Sequence, residues 1–264
     1  MPESTRRHRP YENSQTTPLK GTRTGMRKLT RNSIFSAAVA TAALGLTAGT
    51  AFAAGPPPYT GTISVSATGA TGTSIGVTVT NTTNVTAKDL TTLASITCTK
   101  ATGTGTAKLG SGISPNGSAS LTAATFSSPA NPGGACSGPL GITVQVTADN
   151  LPWSISVDPS TVVNGVSAKG AMTGVKAHIV GSDNCHATVT GPGGGTGTLY
   201  NGSYTDSTGI LKFDSTGVSD LRVATVDANC DPSLINAGDP ITLLGSFKVT
   251  PVSPATGFLT INTP

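Results

Sequence analysis

Apolar and polar residues alternate in short runs along much of the chain. "TISVSA" (62–67) sets Ile63, Val65 and Ala67 against Thr62, Ser64 and Ser66. "IGVTVTN" (75–81) repeats the pattern with Ile75, Val77 and Val79, and "ITVQVT" (142–147) with Ile142, Val144 and Val146. "WSISV" (153–157), "FKV" (247–249) and "FLTI" (258–261) continue it. A period of two with one apolar face predicts antiparallel strands, one side on a core and the other in water. No segment of about 12 residues carries a clean helical stripe. Gly, Asn, Asp and Pro interrupt the chain at short intervals, and β-branched Thr and Val dominate between them, which favours pleated surfaces over helices. The expectation is about a dozen strands in an all-β protein, an antiparallel sandwich or barrel.

"YTDSTGILKFDSTGVS" (204–219) contains Asp-Ser-Thr-Gly twice, at 206–209 and 214–217. A catalytic carboxylate pair must converge on one substrate atom. If 210–213 is extended, Asp206 and Asp214 stand at opposite ends of a strand, about 20 Å apart or more. Asp at the first and Gly at the fourth position is type I turn chemistry. Aspartic proteases use Asp-Thr-Gly or Asp-Ser-Gly, without the extra residue present here. The repeat therefore predicts a strand to Tyr204, a turn, a strand Ile210–Phe213, a turn, and a strand Leu221–Val226.

The N-terminal region changes the composition. "MRKLTRNSIFSAAVATAALGLTAGTAFAAG" (26–55) has a basic segment with Arg27, Lys28 and Arg31, an apolar segment Ile34–Leu46, and small residues at 51–53. These are the three parts of a secretory signal, with cleavage expected after Ala53. The apolar stretch is too short for a membrane anchor. Residues 1–25 are polar and basic without apolar period, the composition of a disordered extension. They read as an over-extended start, with Met26 as initiator; Arg6-Arg7 lies too far from the apolar segment for a twin-arginine signal. Residues 54–264 form the secreted β domain, one domain or two halves divided near residue 150.

Eight of the 16 Lys and Arg lie at or before Arg31. From Ala54 on, eight basic and ten acidic residues give 8 − 10 = −2. The remaining chain has no basic patch or stripe, so nucleic acid is not an expected partner, nor is membrane insertion once the leader is removed.

Cys98, Cys136, Cys185 and Cys230 make an even count in an exported chain, which reads as disulfides. Of three possible pairings, Cys98–Cys136 and Cys185–Cys230 close the shortest loops.

Other constellations are weaker. Asp227, Asn229 and Asp231 alternate like the start of a calcium loop, with Asp239 nearby, but Pro232 stands where the loop glycine belongs and no Glu closes it. His178, Asp183, Cys185 and His186 bring only one local Cys for zinc, so the histidines are expected on strand surfaces. No Gly-x-Ser-x-Gly elbow accompanies them. "GPGGGTG" (191–197) lacks the Lys-Ser/Thr ending of a phosphate loop. Asn81, Asn84, Asn116 and Asn201 stand in glycosylation sequons, which matter only in a glycosylating host. Trp153, the single Trp, either plugs the core or stacks on a ligand.

The Ala-rich leader, "NGSASLTAATF" (116–126), "ACSGPL" (135–140), "LPWSISV" (151–157), "YNGSYTDSTGILKF" (200–213) and "NCDPSLINAGDPITLLGSFKV" (229–249) resemble small exported β proteins of actinobacteria, most of unknown function. The stretch 116–157 is also similar to the secreted alkane-oxidation activator PraB. The neocarzinostatin-type sandwiches differ in having a tight second disulfide loop. The resemblance implies location and fold class, and brings no catalytic residues or cofactor with it.

The expected function is a non-catalytic extracellular or cell-envelope role, structural or binding. Its hydroxyl-rich strands would meet the cell wall or one another. The alternative is a module for sugars or apolar ligands, built on Trp153, Tyr200 and Tyr204. A hydrolase is third.

Overall fold

A computed structural model of the chain describes residues 57–214 and 219–264. The expected extension (1–25), leader (26–53) and most of the second Asp-Ser-Thr-Gly turn (215–217) lie outside the described residues. Those described belong to one compact unit, Thr50–Pro264.

The chain is all-β, as its alternation predicts. Its strands are β1 (Ile63–Thr68), β2 (Ser74–Asn81), β3 (Val85–Asp89), β4 (Ser95–Cys98), β5 (Lys100–Lys108), β6 (Gly110–Ile113), β7 (Ala119–Ser127), β8 (Cys136–Ser137) and β9 (Thr143–Asp149). They continue with β10 (Trp153–Val163), β11 (Ser167–Gly181), β12 (His186–Thr190), β13 (Gly197–Thr205), β14 (Ile210–Asp214), β15 (Arg222–Val226), β16 (Ile241–Pro251) and β17 (Thr256–Asn262). The surplus over the expected dozen consists of strands such as β5, "KATGTGTAK", and the two-residue β8. Their Thr, Gly and Ser positions carry no apolar alternation, so they become strands through their neighbours.

All pairing is antiparallel, and it closes on itself twice. A lower circuit runs β11–β13–β14–β16–β2–β5–β7–β10 and back to β11. An upper circuit runs β11–β9–β8–β4–β3–β16. It continues from residues 240–241 through Leu221–Arg222 to β15, then β12 and back to β11. The two circuits share β11 and β16, the long strands. β11 pairs with β10 and β13 through its first half and with β9 and β12 through its second. The changeover falls at a register shift between Thr173 and Val175, where Gly174 has φ +84°. A bulge with a left-handed residue bends a strand this way, and only Gly does so without strain.

Inward positions alternate along the strands that line the two lumens. β3 contributes Val85 and Ala87 to the upper lumen, β9 contributes Val144 and Val146, and β11 Ala177 and Ile179. The lower lumen takes Val77, Leu121, Met172, Phe213 and Val249. A separate sheet, β17–β1–β6, packs Ile63, Val65, Leu259 and Ile261 into the lower core. Outward threonines pair across strands: Thr102 with Thr125 at 2.7 Å, Thr106 with Ser120 at 3.0 Å, and Thr188 with Thr225 at 2.6 Å. Each such pair contributes roughly 0.2–1 kcal/mol.

Both disulfides are present with the expected pairing, Cys98–Cys136 and Cys185–Cys230. The first lies at a thin seam of the upper circuit. There β4 and β8 share a single paired position, Thr97 with Ser137, and the covalent bond ties the two strands beside that rung.

Candidate functional site: the upper lumen

The upper circuit surrounds a partly open, apolar cavity of about 170 Å³. Its origin lies in composition. A circuit of about eight strands is just wide enough to be filled by large side chains or to hold one small ligand. Here Val, Ala and Ile supply half of the wall, and the short Val and Ala side chains leave the axis open. The lower lumen, with Met172, Phe213 and Leu199, retains smaller cavities of about 80 Å³ each.

Trp153 stands at the boundary, lining both the upper cavity and the lower lumen. It is buried, and its indole N–H donates to the Asp149 carbonyl at 2.8 Å. The outer end of the cavity is formed by four connections. They are the turn 90–94, the turn 138–142, the hairpin 181–186 and the segment 227–240. The 138–142 and 181–186 connections are joined by the Ser182 amide bonding to the Thr143 carbonyl at 2.8 Å. The other two are joined by Leu90 N–H to the Pro240 carbonyl at 2.9 Å and by the Thr92 hydroxyl to the Leu234 carbonyl at 2.8 Å. Cys185–Cys230 ties the last segment to the hairpin.

One acidic pair sits at this end. Asp89 continues the inward period of Val85 and Ala87 and is only 5 % exposed, and Asp239 is buried beside it. Asp89 Oδ1 accepts from the Thr91 and Thr92 amides at 2.8 and 3.0 Å. Asp239 Oδ2 accepts from the Asn236 amide at 2.8 Å and its carboxamide at 3.2 Å. Burial pushes the Asp89 carboxyl above the usual carboxylate range; the Thr92 and Thr91 amides pull against it, and negative Asp239 adds to the rise. For Asp239 burial acts upward too, but the Asn236 bonds outweigh it and bring the group below its ordinary value. The two carboxyls' values are thus pushed apart, and Asp89 Oδ2 is buried without a hydrogen-bond partner. Period-two counting through "VTAKD" places Asp89 inward, the one signal in the sequence that points to it.

The three expected aromatic residues do not converge. Trp153 partitions the lumens. Tyr204 is buried in the lower core, its hydroxyl donating to the Leu259 carbonyl at 3.2 Å, and burial raises its pKa. Tyr200, next to inward Leu199, points outward and donates to Asp220 Oδ2 at 3.1 Å. Trp153 alone of the three lines the upper cavity.

The calcium-like residues are engaged in local structure. Asp227 Oδ1 accepts from the Asn229 amide at 3.0 Å, and its Oδ2 meets His186 Nδ1 at 2.8 Å. Asn229 donates to the Asn184 carbonyl at 3.1 Å, and Asp231 Oδ1 accepts from the Ser233 amide at 2.8 Å. Asp227 also lies near Cys185 and Cys230, whose sulfurs are bonded to each other and offer no thiolate. His178 Nδ1 pairs with Asp149 at 3.0 Å. Both His–Asp pairs are solvent-facing, and among the described residues no serine or threonine hydroxyl bonds to either imidazole as a nucleophile would.

Asp206 and Asp214 part company. Asp214 is exposed and pairs with Lys212 Nζ at 2.9 Å. Asp206 opens a turn, as expected, but its side chain is buried and accepts from the Ile261 amide at 2.8 Å. Of the sequon asparagines, Asn81 and Asn116 are bonded into the backbone of neighbouring segments, while Asn84 is exposed.

No family model, curated protein or solved structure matches the chain. Among the described residues, no helix is long and apolar enough to cross a membrane.

Proposed function

We propose that this is an exported, non-catalytic β protein that binds a small apolar molecule in the upper lumen. The cavity carries the reading. Its volume of about 170 Å³ compares with the ~150 Å³ at which an apolar protein cavity takes up benzene. A sugar would need several free, convergent polar groups. The wall offers Asp89, Asp183, Asp231 and Ser95; each carboxyl has one oxygen bonded to backbone amides of its own turn, and Asp89 Oδ2, buried without a partner, is a single free group where a sugar needs several. The apolar ligand is therefore favoured over the sugar. Export is supported by the leader and by two closed disulfides, which persist in oxidising surroundings.

Trp153 is the natural reporter. Titration with bromobenzene, a heavy-atom quencher, is expected to quench its fluorescence saturably, with no saturable change on adding glucose. Quenching that rises linearly, as for collisions in solution, would refute a bound ligand.

A contact role for the outer face is a second reading, favoured by the paired hydroxyls of β5 and β7. Retention on insoluble cell-wall polysaccharide, lost on replacing Thr102, Thr104 and Thr106 by Glu, is its expected result.

A further inference from the structure

Five non-glycine residues among those described have positive φ. Three are Asn, which tolerates the left-handed region. The other two are Leu93, at φ +65°, and Leu140, at φ +53°. A bulky side chain there is a genuine outlier, and such strain persists where something else requires the residue. Burial does not require these two, since Leu93 is 63 % and Leu140 86 % exposed.

Their positions coincide. β4 and β8 are antiparallel with Thr97 opposite Ser137. The turn that precedes β4 and the turn that follows β8 therefore leave the same end of two neighbouring strands, and Leu93 and Leu140 stand exposed on those two turns. Each turn also lines the cavity, through Ala94 and Ser95 on one side and Pro139 and Ile142 on the other. Leu90, at the start of the same turn as Leu93, is also exposed.

We propose that Leu93 and Leu140 are the tips by which the protein seats the loop-bearing end of its upper cavity on a neutral lipid surface. This rests on the apolar-ligand reading, and names the surface that supplies that ligand. Isolated leucines on turn tips need no matching shape in the partner, and an acyl layer supplies none. A second copy of the chain is a poorer occupant, because three leucines fall well short of the roughly 800 Å² per partner of a stable interface. The charged side chains lining this end of the cavity, Asp89, Asp183 and Asp231, are all acidic. An anionic surface therefore gains nothing over a zwitterionic one.

The test is co-sedimentation of the processed chain with phosphatidylcholine vesicles; the leader is removed because Ile34–Leu46 would itself bind lipid. Wild type should partition onto these vesicles and no more strongly onto vesicles containing phosphatidylglycerol. L93D/L140D should bind at least about tenfold more weakly, as expected for removing two inserted leucines. V163D/V166D, which changes two exposed valines on the β10–β11 turn, should bind like wild type. No binding by wild type, unchanged binding of L93D/L140D, or equal loss in V163D/V166D would overturn the proposal. So would a dimer in sedimentation velocity that L93D/L140D abolishes. Bromobenzene quenching of Trp153 should survive in L93D/L140D, since neither leucine lines the cavity. Vesicle binding without quenching would sink the cavity reading alone; quenching without vesicle binding would sink the docking inference alone.

Discussion

Asp206 and Ile261 lie 55 residues apart, and the carboxylate of the first accepts the backbone amide of the second at 2.8 Å. The bond holds β17 against the turn between β13 and β14. Burial raises the Asp206 pKa, with the Ile261 bond pulling the other way. The folded state thus holds this proton to higher pH than the unfolded state does. The contribution to stability is full below the unfolded value, near 3.9, and is lost as pH rises through the folded value.

Asp206→Asn should therefore flatten the pH dependence of stability. The measurement is the melting temperature of wild type and variant at pH 4 and pH 7. The variant's advantage should grow toward pH 7; an advantage equal at both pH values would contradict the buried-acid account. Asp206→Ala should lose about 1–3 kcal/mol, because it leaves the Ile261 N–H without its acceptor.

Asp89 follows the same sign. Its raised pKa means that deprotonation above the folded value sets two negative carboxylates against each other beneath residues 227–240. Amide exchange at Leu90, bonded to Pro240, should accelerate, beyond the intrinsic pH effect, between pH 4 and pH 8. Asp89→Asn, which cannot ionise, should remove the excess.

Cys98–Cys136 closes the single-rung seam between β4 and β8. Its replacement by two alanines should cost about 4 kcal/mol for a loop of 38 residues in the chain-entropy treatment. Bromobenzene binding should fall with it, because the seam forms part of the cavity wall. Loss of stability with ligand binding intact in the folded fraction would show that the seam closes without the bond.

Gly170 lies where β11 presses on β10, and a Cβ there would run into the Ser156 carbonyl. Gly170→Ala should destabilise by about 1–3 kcal/mol, the usual cost of overpacking. Equilibrium urea unfolding measures it; a neutral result would mean that β10 and β11 can part at no cost.

The strands with apolar alternation, the turn at 206–209 and the cysteine partners were legible in the residue pattern, because period, turn chemistry and loop length are local properties. β5 and β8 were not, since their Thr, Gly and Ser become strands only when neighbours offer ladders. Asp206 illustrates the division. Its turn is written in Asp-Ser-Thr-Gly, while its burial depends on where β17 passes. The cavity belongs wholly to the tertiary structure. Short side chains are visible in the sequence, but whether they meet across a sandwich or stand around an open axis depends on closure. Closure is set by the long-range pairing of β16, near the end of the chain, with β2 and β3 near its start, and no local period encodes it.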